Sequence, residues 1–134
     1  MGVMVDSNIL LDLLTIDPVW LAWSEEQFRR EVARGPLVVN PIICAEIAPV
    51  FDHDWQELDE WLIPASFKRE ALPFAGSTLA SAAFEKYKAR GGVKTSPLPD
   101  FYIGAHAQAE GHTRITRDVN RYRAYFPAVP LICP

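Results

Sequence analysis

Four acids in this 134-residue chain stand where a carboxylate is either costly or aimed at open space: Asp6, Glu46, Asp100 and Asp118. Asp6 directly follows the apolar run of residues 2–5 and Asp118 follows "TRIT", so both fall just after a predicted strand. Glu46 comes three and four residues after Ile43 and Ile42, which places it on their inward helical stripe. An unpaired carboxylate there is expensive, and no Lys or Arg lies between Arg34 and Lys68 to pair with it locally. Its partner must come from elsewhere, an arginine or a metal ion. Asp100, between Pro99 and a small apolar run that ends at Gly111, reads by itself as a helix N-cap. It also continues an inward stripe through Ile103, Gly104 and Ala107, and Gly104 lets the backbone come close to its neighbour.

Taken singly, each acid has an ordinary role as a cap or a turn residue. Gathered at one point, they would repel and raise one another's pKa values unless a divalent cation held them. Oxygen-only ligation suits Mg²⁺ or Mn²⁺, and no His or Cys sits at zinc-ligand spacing with these acids. His53, His106 and His112 are expected at the surface or as packing residues. Asp12, six residues after Asp6 and about 240° around a helix from it, is expected as a surface or supporting acid.

The elements that must position these acids alternate. Short apolar strands are predicted at residues 2–5, "LVV", "TRIT" and "PLIC", with "FKREAL" either a strand or an extended link. Asp17-Pro18 and Asn40-Pro41 are cap-proline starts for the helices "VWLAWSEEQFRREVARG" and "IICAEIA". Further helices are predicted in "ILLDLLT", "DHDWQELDEWL", "AGSTLASAAFEKYKAR", the Asp100 stretch and "VNRYRAYF", with "VKTSPLP" as a loop. Strands alternating with helices imply an α/β fold of three layers around a parallel sheet, in a single domain spanning residues 1–134. Ligands of such sheets collect at the carboxyl ends of the strands, where Asp6 and Asp118 fall.

Charge and composition limit the classes. No apolar run approaches the roughly 20 residues of a membrane span, and "MGVMVDSN" lacks the basic and apolar regions of a signal peptide, so the cytoplasm is the expected location. Cys44 and Cys133 form no CxxC pair and are expected as small hydrophobic core residues without a disulfide. The net charge of −4 conceals an asymmetry: residues 84–125 hold eight Lys or Arg against four acids, net +4, leaving −8 for the rest. A locally basic third on an acidic protein admits a polyanionic substrate.

In "VMVDSNILLDLL", "LVVNPIICAEIA", "PLPDFYIGAHAQAEG" and "TRITRDVNRYRAYFPAVPLI", in this order, the chain resembles PIN-domain nucleases over essentially its whole length, most of all the toxin component of bacterial VapBC toxin-antitoxin pairs. The resemblance implies a PIN-like sheet of four to five short strands, with Asp6, Glu46, Asp100 and Asp118 as a catalytic, metal-binding quartet. It implies Ser7, Asn8, Thr116 and Asn120 as supporting residues, Asn120 standing where many relatives carry a further acid. The implied activity is a Mg²⁺- or Mn²⁺-dependent endoribonuclease acting on tRNA or mRNA and leaving 5′ phosphate and 3′ hydroxyl ends. A small antitoxin partner and a homodimer are implied as well. Lys86, Lys88, Arg90, Lys94, Arg117 and Arg121 are candidates for steering the RNA backbone. "DHDWQELDEWL", with Trp20 and Trp23, is a candidate surface for protein contacts.

Other classes fit less well. A PIN-like RNA-binding module without catalysis would keep the acids for fold or metal alone. A phosphatase of the haloacid dehalogenase type needs an acid two positions after the first, where Asn8 stands, and no GxGxxG or GxxxxGK[ST] occurs. A pure interaction protein leaves the inward Glu46 without a reason.

Overall fold

The computed structural model describes residues 2–95 and 98–134; Ser96 and Pro97 of the predicted loop lie outside the described residues. Five strands, β1 (Val3–Val5), β2 (Leu37–Val39), β3 (Phe67–Arg69), β4 (Thr113–Ile115) and β5 (Leu131–Ile132), form one sheet in the order β3-β2-β1-β4-β5. Every pairing is parallel, with Met4 opposite Val38 and Arg114, and Val38 opposite Lys68. The undecided "FKREAL" segment is a strand, and it forms one edge of the sheet. Seven helices cover the sheet in a three-layer α/β/α arrangement: α1 (Ser7–Thr15), α2 (Leu21–Val32), α3 (Pro41–Ile47), α4 (Trp55–Trp61), α5 (Gly76–Ala89), α6 (Pro99–Glu110) and α7 (Val119–Tyr125). Because the strands all run one way, the residues that follow β1, β2 and β4 share a single sheet edge.

Local chemistry sets where the helices begin. Asp6 caps α1, accepting the Ser7 amide at 2.8 Å, and Asn40 caps α3, accepting the Ile43 amide at 2.9 Å with Pro41 in the first turn. Asp17 binds the amides of Val19 and Trp20, closing a turn before α2. Asp100 departs from expectation. Pro99 occupies the first helical position of α6, which moves the cap to Leu98, and Asp100 lies inside the first turn with no capping bond of its own. It still meets the positive end of the helix dipole.

Two further expectations are sharpened or corrected. Of the two alternatives for Asp12, surface or supporting acid, the structure gives the second: Asp12 is buried, because α2 covers the face of α1 turned away from Asp6. There it accepts Ser24 Oγ at 2.6 Å and a two-pronged bond from Arg117 at 2.8 Å on each prong, tying α1 and α2 to the loop after β4. The cysteines are free thiols, half-buried instead of core, and burial raises the Cys44 thiol pKa. Among the described residues no helix is long and apolar enough to cross a membrane.

Gly104 does bring α6 close to a neighbour, but that neighbour is the Phe126 ring beyond α7. A Cβ built on Gly104 would meet the ring at 2.4 Å. Phe126 is itself buried and hemmed in by Phe101 and Tyr122, so it has little room to yield. Gly104→Ala is expected to destabilise the fold by about 1–3 kcal/mol through overpacking, read as a lower urea midpoint. An unchanged midpoint would mean that the ring moves freely.

Candidate metal centre

The site is built from β1 and β4 outward. Side chains two apart on a strand share a face, so Met4 and Asp6 point the same way, as do Arg114 and Thr116 on the neighbouring strand. Asp6 is therefore surrounded on its own face. Its Oδ1 accepts the Ser7 amide and meets Arg114 Nη2 at 2.9 Å; its Oδ2 accepts Thr116 Oγ1 at 2.7 Å and Asn8 Nδ2 at 3.2 Å. Thr116 Oγ1 in turn accepts the Asp118 amide at 3.0 Å. From α1, Ser7 Oγ reaches across to Glu46 Oε1 on α3 at 3.0 Å, which supplies the partner that Glu46 could not find in nearby sequence.

Asp6, Glu46 and Asp100 each bring one carboxylate oxygen to within 4.8 Å of the others. Asp118 stands outside that trio at the N-cap position of α7, and its charge is still felt at Asp100. Of the predicted supporting residues, Ser7, Asn8 and Thr116 join the cluster, whereas Asn120 is exposed on α7. The basic candidates divide. Arg121 donates to Asp100 Oδ2 at 3.1 Å, and Arg117 is committed to Asp12 with its guanidinium over the Trp20 ring. Lys86, Lys88, Arg90 and Lys94 are exposed.

Electrostatically the cluster is under tension. Burial raises the Glu46 pKa from its ordinary value, with Asp100 and Asp6 adding repulsion against the Ser7 bond and Arg114. Burial raises that of Asp100 too, with Asp6 pushing the same way and Arg121 and Arg114 pushing back. Oxygen donors of matching charge, half-buried and repelling one another, fit a hard divalent cation. A pH dependence follows. A carboxyl whose folded-state pKa is raised binds its proton more readily folded than unfolded, so folding gains stability as pH falls through the raised range and loses it as pH rises. With EDTA present, the melting temperature of wild type relative to Asp100→Asn is expected to rise as pH falls from neutral toward the upper carboxylate range, a comparison in which the opposing losses at His106 and Glu70 cancel, while the added stabilisation by Mn²⁺ shrinks. A fall of wild type relative to the variant over that window would contradict the burial of Asp100.

A second cluster, Glu70, His106 and His112, also brings three possible ligands together, between α6 and the sheet. Its hydrogen bonds argue against a metal. The Gly2 amide donates to His112 Nδ1 at 2.8 Å, so that neutral ring carries its proton on Nε2 and gives it to Glu70 Oε1 at 2.7 Å. Asn40 Oδ1 is held by the Ile43 amide, which turns Nδ2 toward His106 Nδ1 at 3.0 Å, and His106 Nε2 donates to the same Glu70 oxygen at 3.1 Å. Both Nε2 atoms are donors, leaving no lone pair for an ion. Although burial opposes it, the bonds from His112 and His106 carry the Glu70 pKa below its ordinary value, and burial lowers that of His106. Both histidines are packing residues, as expected. Their tie to Glu70 was invisible in sequence because it spans 36 and 42 residues. Arg114 was also missed, although its place two residues before Thr116 on a buried strand was a usable signal.

A parallel sheet flanked by helices, with acids gathered where its central strands end, defines a class of α/β domain that collects a ligand at that edge. The PIN domain profile matches residues 3–127, and the chain belongs to that family, whose members are generally nucleases. No curated protein sequence matches the chain. Solved structures do. The fold is similar to that of VapBC2 from Rickettsia felis bound to a DNA fragment from its promoter, with TM-score 0.74, 16% identity, and coverage of 99% of this chain and 98% of that one. VapBC-1 from nontypeable Haemophilus influenzae gives 0.73, 18%, 99% and 98%. A toxin-antitoxin complex from Klebsiella pneumoniae gives 0.67, 23%, 96% and 95%.

Proposed function

We propose that the chain is a divalent-metal-dependent endoribonuclease, the toxin of a VapBC-type pair restrained by a cognate antitoxin. The observation that carries this reading is the meeting of three carboxylate oxygens, from Asp6, Glu46 and Asp100, at the carboxyl edge of a PIN sheet. Asp6, Glu46 and Asp100 would hold the ion, Mg²⁺ or Mn²⁺, with Asp118 beside them. Once bound, such an ion supplies positive charge against a phosphate oxygen and lowers the pKa of water.

The chain's own residues do the rest. Thr116, Asn8 and the Ser7 amide hold both Asp6 oxygens, and Ser7 Oγ holds Glu46, so the acids are aimed before any substrate arrives. The first turn of α6 sets Asp100 at the positive end of the helix dipole, which offsets part of the cost that burial places on its ionised form. Exposed Lys86, Lys88, Arg90 and Lys94 would receive the RNA backbone. The expected reaction is in-line hydrolysis, with water attacking phosphorus and the 3′ oxygen leaving, so that products end in 5′ phosphate and 3′ hydroxyl.

The antitoxin and a homodimer are proposed on the likeness to the VapBC complexes and on Trp55 at the start of α4, which is 61% exposed. Incubating the purified protein with tRNA and mRNA pools, with Mn²⁺ or with EDTA, tests the reading. Cleavage confined to the Mn²⁺ arm supports it. Binding of RNA without cleavage in either arm would favour the non-catalytic module.

A further inference from the structure

Arg114 is the largest fully buried side chain described, with 0% of its surface exposed, and it pairs with Asp6 of the acidic trio. Its Nη2 sits 2.9 Å from Asp6 Oδ1, and its guanidinium stacks on the Tyr122 ring at 3.9 Å from the centroid. Yet none of Nε, Nη1 and Nη2 has a hydrogen bond of good geometry, and the neighbouring Tyr122 hydroxyl has none either. An arginine kept dry at that cost is hard to explain by packing alone, since an apolar chain of the same volume would sit more cheaply over Tyr122.

Charge explains it. Three ionised carboxylates less one guanidinium leave two negative charges at the centre, which one divalent ion balances. Around Asp100, Arg121, 3.1 Å away, and Asp118 act in opposite directions. We infer that Arg114 is the built-in counter-ion of this centre: it steadies the carboxylates while no cation is bound, and it limits the RNA-free protein to one tightly held divalent ion. Arg114 touches neither substrate nor reacting atoms in this role. It is a positioning residue that acts through Asp6 and through its own charge.

The inference rests on the reading of the acids as cation ligands, and the two can fail separately. Mn²⁺ titrated calorimetrically into the RNA-free wild-type protein should bind at one site per chain. Arg114→Met removes a positive charge from beside Asp6, so Mn²⁺ should bind at least about tenfold more tightly, because a single charge at this range and intermediate dielectric is worth that much or more. The melting temperature of R114M in EDTA should fall below that of wild type and recover on adding Mn²⁺. A merely structural arginine would give the opposite result, a looser site and weaker binding. Arg114→Lys keeps the charge and should bind Mn²⁺ within a few-fold of wild type; this variant decides the matter if R114M does not fold. Two tight Mn²⁺ ions on wild type, or an affinity in R114M that is unchanged or weaker, would overturn the role of Arg114 alone. Wild type that binds no Mn²⁺ would overturn both readings.

Discussion

Asp100→Asn is expected to reduce metal-dependent RNA cleavage by at least about 10²-fold, the scale on which losing one electrostatic contact to the reacting group is felt, while the fold survives. The separation of the two effects comes from where Asp100 sits. It supplies one of three converging oxygens, so its charge is needed once an ion and a phosphate are present. Without an ion its charge is a burden: burial and the repulsion of Asp6 both oppose it. Its ion-pair partner, Arg121, is half-exposed and can turn to water when the carboxylate is lost. The melting temperature of D100N in EDTA should therefore equal or exceed that of wild type, measured beside the cleavage assay on the same preparation. Cleavage that persists in D100N at the wild-type rate and resists EDTA would end the metal-nuclease reading.

Asp6→Ala should do the reverse and act on the fold first. Asp6 caps α1, accepts Thr116 and Asn8, and faces the buried Arg114. Deleting it leaves a guanidinium without its counter-charge in the interior, a loss of about 3–5 kcal/mol when one partner of a buried pair is removed. Against a total stability of about 5–15 kcal/mol, that is enough to unfold a large share of the molecules under mild stress. Urea unfolding in EDTA is the measurement, and Asp6→Asn, which keeps the shape and part of the cap, should fall between alanine and wild type. If D6A unfolds at the wild-type urea concentration, Arg114 does not depend on Asp6 for its charge balance. The practical corollary is that inactivity in D6A reports on folding as much as on chemistry, so D100N is the cleaner catalytic null.

How much of this was readable in the chain depended on whether the determining contact was local. Asn40-Pro41 announced α3 because cap and proline act within one turn, and Gly111 ended α6 in the left-handed conformation for the same reason. The inward stripe of Ile42, Ile43 and Glu46 was enough to place Glu46 at the centre, although its hydroxyl partner, Ser7, comes from 39 residues away. Asp100 misled as a cap because Pro99 and Leu98 compete for adjacent positions, and only the backbone decides between them. Asp12 was left open between surface and supporting acid because a helical wheel tells which face turns away from Asp6 and not what covers that face. Three of the eight basic residues in the positively charged third are drawn inward as partners of Asp6, Asp12 and Asp100. That leaves less of the third available to RNA than its net charge suggested.

The link between Asn40 and His106 bears on how the acids are held. Asn40 begins α3, which carries Glu46; His106 lies on α6, which carries Asp100; and Glu70 anchors His106 and His112 to the end of β3. The start of α3 is thus tied to the interior of α6, and the span between the Glu46 and Asp100 carboxylates is constrained from a point away from either. The disorder of arranging those ligands is lost when the chain folds, and little of it remains to oppose an arriving ion. For the proposed ion, selectivity by radius would then be adjustable without touching a ligand, through Asn40, His106 or Glu70, which set the frame on which the acids are mounted.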